Sequence, residues 1–486
     1  MTATQNPVAA AIAVNRFGLG ARPGELSGAA GDPQGWLLKQ LKGSPPVLTG
    51  EGLESSADFL KKALELRRDL LEARREKKDG DANSDKAVAA ALKLPAISRP
   101  VYIDEAYARF SHAIVTDRPL LERLTQFWSN HFAVSVDKGA VLGVAGAMER
   151  EAIRPHVTGS FTKLLLAVEK HPAMILYLDN QASIGPNSRA AQFMARRGKR
   201  QGKGNSRKLD INENLAREIL ELHTLGVDGG YTQADVTTFA KAISGWSIGG
   251  EDHGRRFARL GLDSGKPGEF SFREVFHEPG AKRLLGRSYG DDGVKQGEAI
   301  LEDLALRPET ARHISTKLAR HFIADDPPKE VVEHMTRAWI DSRGQLAQVY
   351  AALIESPEAW REPLAKFKTP ADYIYSSYRA LGLPLREKRR SLQAFEALGQ
   401  RSLQPGSPAG WPDTSADWDG SSALLKRIAW ADAVAQRLGS DRSARDLAPQ
   451  VLGATLSDET SKAIARAESG AQALTLLMAS PEFMRR

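Results

Sequence analysis

Cysteine is absent from the 486-residue chain. That absence excludes disulfides, zinc fingers, iron–sulfur clusters and thiol catalysis. Long apolar runs are missing too: no stretch approaches the ~20 apolar residues of a membrane-spanning helix. The opening MTATQNPVAAAIAVNRFGLG has no Lys or Arg before its short apolar run, so it reads neither as a secretory leader nor as a span. The expected compartment is the cytoplasm; the alternative is the periplasm or envelope, reached by export with a signal-bearing partner. No fixed-period repeat occurs, which argues against a solenoid. Acidic residues are missing from one place in particular. Between Arg196 and Lys208 the chain holds Arg196, Arg197, Lys199, Arg200, Lys203, Arg207 and Lys208 with no Asp or Glu. Those cations equal the whole net charge of +7, so the rest of the chain is balanced and a specific nucleic-acid partner is not expected.

What is present is ordinary globular material, 42% hydrophobic and 26% charged, enough for a sizeable core. Helical periodicity dominates. It predicts helices over Pro7 to Arg16, residues 56 to 79, Lys86 to Lys93 with a stop at Pro95, Ile103 to Val115, Pro119 to Phe132, Glu213 to Leu225 and Gln233 to Ile243, the last capped by Thr232. Phe270, Phe272, Val275 and Phe276 alternate well enough for one small β-hairpin around residues 268–288. The expected class is mainly α, as a large multi-helix unit or two helical lobes. The expected division is a main helical domain over 1–360, a flexible basic insertion at 185–210 inside it, and a C-terminal helical subdomain over 361–486. An acidic polymer is the partner that the basic insertion would suit.

Few segments carry recognisable chemistry. GLGARPG follows a helix and lacks the phosphate-loop patterns, so it is a turn. HExxH is absent, and His313 and His321 stand two helical turns apart, too far for one ion. FWSNHF sets Trp128, Asn130 and His131 at the end of an amphipathic helix, where Asn and His together can hold and polarise a substrate oxygen or simply join a core. The densest polar cluster is INENLAREILELHTLGVDGGYTQADV. At 100° per residue Asn214, Glu218 and Glu221 share a strip beside Leu215, Ile219 and Leu222. Carboxylates three apart on a helix lie ~5–6 Å apart at Cβ, so one could act as acid and its neighbour stay ionised. Against that, Glu213, Arg217 and Glu221 at i,i+4 spacing make an ion-pair ladder of ~0.2–0.5 kcal/mol per pair. Asp179, His223, Tyr231 and Trp246 lie nearby in sequence. Asp179, Glu218 and His131 would also serve as oxygen and nitrogen ligands, although no metal motif is present.

The motifs FWSNHFAVS, HPAMILYLDN, NENLAREILELHTLGVDGGYTQADV with SGW, FHEPGAKRLLG, PAGWPD and LLMASPEF, in this order from about Asn15 to Phe483, resemble the bacterial "domain of unknown function 1800" family. The resemblance implies a sulfatase-like or phosphatase-like partner protein encoded nearby, leaves reaction and cofactor unknown, and implies export for many members. Gln233 stands where relatives often carry Glu, which weakens a catalytic carboxylate at that position. Two functions are expected. One is a hydrolase or lyase acting on a cell-envelope polymer such as a polysaccharide, with Glu218, Glu221 and His131 as catalytic groups. Trp128, Asn130, Asp179, Asn214, Arg217, His223, Tyr231 and Trp246 would then bind substrate. The other is a non-catalytic helical partner or scaffold for the sulfatase-like protein.

Overall fold

The computed structural model describes residues 6–78, 84–200, 211–250, 257, 260, 265–439 and 441–486. Its class is mainly α, with two two-stranded antiparallel sheets among the described residues. No helix among those residues is long and apolar enough to cross a membrane.

The first helix, Pro7–Ile12, starts where Asn6 accepts the Ala9 N–H at 3.0 Å, then widens into an i→i+5 turn over Ala13–Phe17. The charged helix Ser56–Lys78 packs along a single long helix, Ser84–Val115. The sequence predicts a stop at Pro95, yet this helix runs through both Pro95 and Pro100. An interior proline costs ~3 kcal/mol in an isolated helix. Here both prolines lie on the exposed side, and packing against Ser56–Lys78, Pro370–Leu381 and Lys388–Ala397 holds the helix together.

The segment 185–210, expected as a flexible loop, contains the helix Arg189–Arg200. Its cause is a short stripe, Ala190, Phe193 and Met194 at i, i+3 and i+4, which packs with Ile184, Phe257, Val275 and Phe276 in a small apolar cluster. Residues 201–210 of the expected insertion, with Lys203, Arg207 and Lys208, lie outside the described residues. The β structure also differs from a hairpin running through Phe270 and Phe276. Phe270–Phe272 (β2) pairs with Trp246–Ile248 (β1), while Val275 and Phe276 sit in a 3₁₀ turn. The hairpin is formed by Lys282–Leu284 (β3) and Arg287–Tyr289 (β4), joined by Leu285 and Gly286, both at positive φ, as a tight two-residue hairpin turn requires.

The expected cap is present: Thr232 Oγ1 accepts the Asp235 N–H at 3.2 Å, and Asp235 returns the bond to the Thr232 N–H at 2.9 Å. Two large apolar clusters make up most of the core. One gathers side chains from Ile12 to Leu364. The other gathers Phe367 to Met484 together with Ala10, Val14, Leu19, Phe110 and Ile114, so the first helix contributes to both clusters, Ile12 to one and Ala10 to the other.

Candidate functional site

The helix Pro119–His131 delivers the FWSNHF motif, and its last turn is tied to the PAGWPD loop. Asn130 accepts the Trp411 N–H at 2.7 Å and donates to the Trp411 carbonyl at 2.9 Å. The loop reaches this helix end only because residue 410 is glycine: its φ is +85°, and a Cβ there would stand 2.3 Å from the Asn130 carbonyl oxygen. Asn130, expected to orient substrate, therefore has its amide occupied by backbone. Trp128 is fully buried and donates from Nε1 to Tyr350 Oη at 2.6 Å. Trp246 is fully buried against Phe270. Both rings, expected among the substrate-binding residues, are instead part of the core and offer no exposed face.

Below the PAGWPD loop opens a cleft of about 490 Å³ between Pro119–His131, Pro308–Phe322, Pro370–Leu381 and residues 400–414. The acids that line it are engaged. Glu149 accepts from Ser129 at 2.6 Å and pairs with Arg109 at 2.9 Å and Arg154 at 2.7 Å. Asp372 lies between Arg123 at 3.1 Å and Arg486 at 2.9 Å. Asp413 accepts from His321 Nδ1 at 2.9 Å and faces Lys366 and Arg486. Burial alone would raise the Asp413 carboxyl, but His321, Lys366 and Arg486 hold it well below the ordinary carboxylate range.

The cations that line the cleft divide into two kinds: Arg109 is paired with Glu149 and Arg401 with Glu396. Lys317 and Arg320, on the Pro308–Phe322 helix, have no carboxylate partner among the described residues. Arg320 donates from Nε to the Asp325 carbonyl at 3.0 Å. Burial lowers the Lys317 amine to about 8, with Arg320 adding to the fall and Asp413 opposing it. His321 is one helical turn beyond Lys317 on the same face. Its Nδ1–H points at Asp413, so its Nε2, unpartnered among the described residues, carries the lone pair. Burial, more than Asp413 can offset, lowers this ring below the usual histidine value. Gln126 Nε2 and His131 Nδ1 are also buried at the cleft without a hydrogen-bond partner among the described residues.

Of the expected site residues only Asn130 and His131 line this cleft. Burial first, and then Lys317, His223 and His313, push His131 well below the usual histidine value. Its Nε2 meets the His223 carbonyl at 3.2 Å. His223 is itself buried, with Nδ1 2.7 Å from Glu169. The carboxylates of the NENLARE segment lie outside. The helix there is regular only over Asn214–Glu218 and then opens into an i→i+5 turn at Ile219–His223. That wider turn breaks the 100° register on which the strip of Asn214, Glu218 and Glu221 was built. Half of the ladder survives: Arg217 pairs with Glu213 at 3.3 Å and donates to Gln233 at 2.8 Å, while Glu221 accepts from Tyr231 Oη at 3.5 Å. Glu218 is half-buried, and its carboxyl is raised chiefly by burial and further by Glu221 and Glu169, against His223 and Arg217. Asn214 is exposed. Asp179, at φ +58°, pairs with Lys138 at 2.6 Å. No three His, Asp or Glu side chains gather as metal ligands among the described residues, so Asp179, Glu218 and His131 do not form the ligand set the sequence offered.

Sequence reasoning missed Lys317, Arg320 and Asp413 as site residues, and weighed His321 only as a metal ligand. The signal was the i,i+4 pair Lys317 and His321 in HISTKLARHF, two titratable groups on one face of a helix. Comparison with curated proteins and with solved structures finds no match. The family model described as "Protein of unknown function (DUF1800)" matches residues 12–485, and over almost its entire length the chain belongs to that family.

Proposed function

We propose that this protein is a lyase acting on an acidic polymer of the cell envelope, with Lys317 as its proton-transfer group and Arg320 as its anion clamp. The observation that carries this reading is the pairing of two uncompensated cations with fully engaged acids in one cleft. Hydrolysis by two carboxylates needs a free acid and a free base in the site. Elimination beside a carboxylate needs a base of suitable pKa and a cation that stabilises the charge building on that carboxylate. An amine titrating at about 8 supplies the base. In the step, Lys317 takes the proton α to the substrate carboxylate and the C–H pair becomes the new C=C bond. The β C–O bond breaks, and the leaving oxygen recovers the proton from the lysine. Arg320 faces the carboxylate throughout.

The test is incubation with polyuronates while following the ultraviolet absorbance of the unsaturated product. Lys317→Met should lose at least ~100-fold in kcat, Arg320→Gln should lower kcat as well as raise KM, and activity should rise with pH through about 8 as the amine deprotonates. New reducing ends without unsaturation, or loss of turnover in Glu218→Gln with Lys317→Met active, would return the site to the NENLARE carboxylates. The second reading, a scaffold for a sulfatase-like partner, is favoured by the buried ion network of Glu122, Glu149 and Arg154, which joins separate helices. It predicts co-elution with the partner and no turnover.

A further inference from the structure

Separate from the cleft, the C-terminal residues form a second depression of about 660 Å³. Its apolar walls include Tyr378 and Leu383, at and just after the helix Pro370–Leu381, and Trp430 and Leu438, on the helix Ser421–Leu438. Among the described residues four guanidinium groups line it, from Arg386, Arg390, Arg437 and Arg442, with Asp441 as the one carboxylate. They come from different parts of the chain: Arg386 precedes the helix Lys388–Ala397, Arg390 lies on it, Arg437 ends the Ser421–Leu438 helix, and Arg442 follows that helix. None has a carboxylate partner among the described residues. Arg442 donates only to backbone, to the Leu381 carbonyl at 3.1 Å and the Asp441 carbonyl at 3.0 Å. Arg386 and Arg437 both lie close enough to Tyr378 to oppose the rise that burial imposes on its phenol.

Four like charges around one hollow repel each other, and among the described lining residues only the one carboxylate of Asp441 opposes them; an anion with several charges would offset the remainder. The residues are arginines, whose planar forks fit phosphate oxygens two at a time. The walls between them are aromatic and aliphatic, which suits a ring rather than a bare anion. We propose that this depression binds a small molecule joining a planar ring to two or more phosphate groups, the chemistry of a nucleoside di- or triphosphate. The site stands whether or not the cleft cleaves a polymer.

Calorimetry on the full chain tests it with ATP, ADP, adenosine and inorganic pyrophosphate. ATP and ADP should bind, pyrophosphate about tenfold more weakly, and adenosine not measurably at about 1 mM. Arg390 and Arg437 are exposed, so the double variant Arg390→Gln/Arg437→Gln keeps its fold, checked by circular dichroism, and should lose ~100-fold in nucleotide affinity, about tenfold per guanidinium. Trp430→Leu should weaken ATP and leave pyrophosphate unchanged. Lys317→Met should alter neither. Absence of binding by both ATP and pyrophosphate at about 1 mM, or ATP affinity surviving in the double variant, would overturn the site. Pyrophosphate binding as tightly as ATP would overturn the ring. A sulfated oligosaccharide that binds where ATP does not would overturn the phosphate.

Discussion

Replacing Asp372 by Asn removes the single negative charge between two buried guanidiniums while keeping the shape of the side chain. Asp372 Oδ1 is 3.1 Å from Arg123 and Oδ2 is 2.9 Å from Arg486, and these two arginine side chains are 2% and 0% exposed. Arg123 and Arg486 repel each other, and after the substitution Asp413, 3.5 Å from Arg486, is the carboxylate left among the described residues to offset them. Breaking a buried pair in this way costs about 3–5 kcal/mol, because the cations stay behind uncompensated. With an unfolding entropy of ~2.1 cal/mol/K per residue, the whole chain gives a fall in Tm of roughly 3–5 °C, and more if the C-terminal residues unfold on their own. Calorimetric melts across pH provide a second check. Burial would raise the Asp372 carboxyl, but Arg123 and Arg486 outweigh it and hold it well below the ordinary range. A depressed carboxyl stabilises the fold fully above its unfolded pKa of ~3.9 and loses that contribution as pH falls toward its folded value. The gap between the native chain and Asp372→Asn should therefore be constant from neutral pH to about 5 and narrow below about 4. A variant melting within about 0.5 °C of the native chain at pH 7, or a gap that widens in acid, would refute the electrostatic role assigned to Asp372. Replacing both partners, Asp372→Leu with Arg123→Met, should recover part of the loss, since one buried cation is gone.

Other substitutions test the cleft and its supports. Lys317→Met should raise Tm at pH 7. The lowered amine makes its charged form a cost to the fold below about 8, and that cost disappears as pH rises toward the unfolded value of ~10.4; a constant difference from pH 7 to about 10 would count against it. Gly410→Ala should destabilise by about 1–3 kcal/mol and speed amide exchange over residues 405–414, because a left-handed φ and contact with the Asn130 carbonyl both oppose a Cβ; unchanged exchange would show that the loop is held elsewhere. Thr232→Ala should cost about 1 kcal/mol in urea melts, through loss of the capping bond to the Asp235 N–H.

The sequence by itself determined the mainly α class and the cap at Thr232, because apolar spacing and capping chemistry act over a few residues. It also showed that the net charge is concentrated between Arg196 and Lys208, and its motifs were enough for family membership, which the match over residues 12–485 shows. Where its local reading failed, a distant contact had overridden a local preference. Pro95 stays helical because neighbouring helices pack around Ser84–Val115. Phe193 and Met194 order a helix in a stretch whose cations suggested a loop. Phe272 pairs with Trp246 across 26 residues rather than with the chain just beyond it.

The site depended still more on tertiary structure. Glu218 and Glu221 were conspicuous because they lie close together in sequence, yet the i→i+5 turn at Ile219–His223 and the position of that segment keep both out of the cleft. His321 and Asp413 are 92 residues apart in the chain and meet at 2.9 Å. The environment of Lys317, half-buried without an acid partner among the described residues and lowered to about 8, is set by desolvation, which depends on every helix packed around it. Residue types and local periodicity decide which helices form, and a pKa or a cleft exists only once those helices have displaced water from around a particular side chain.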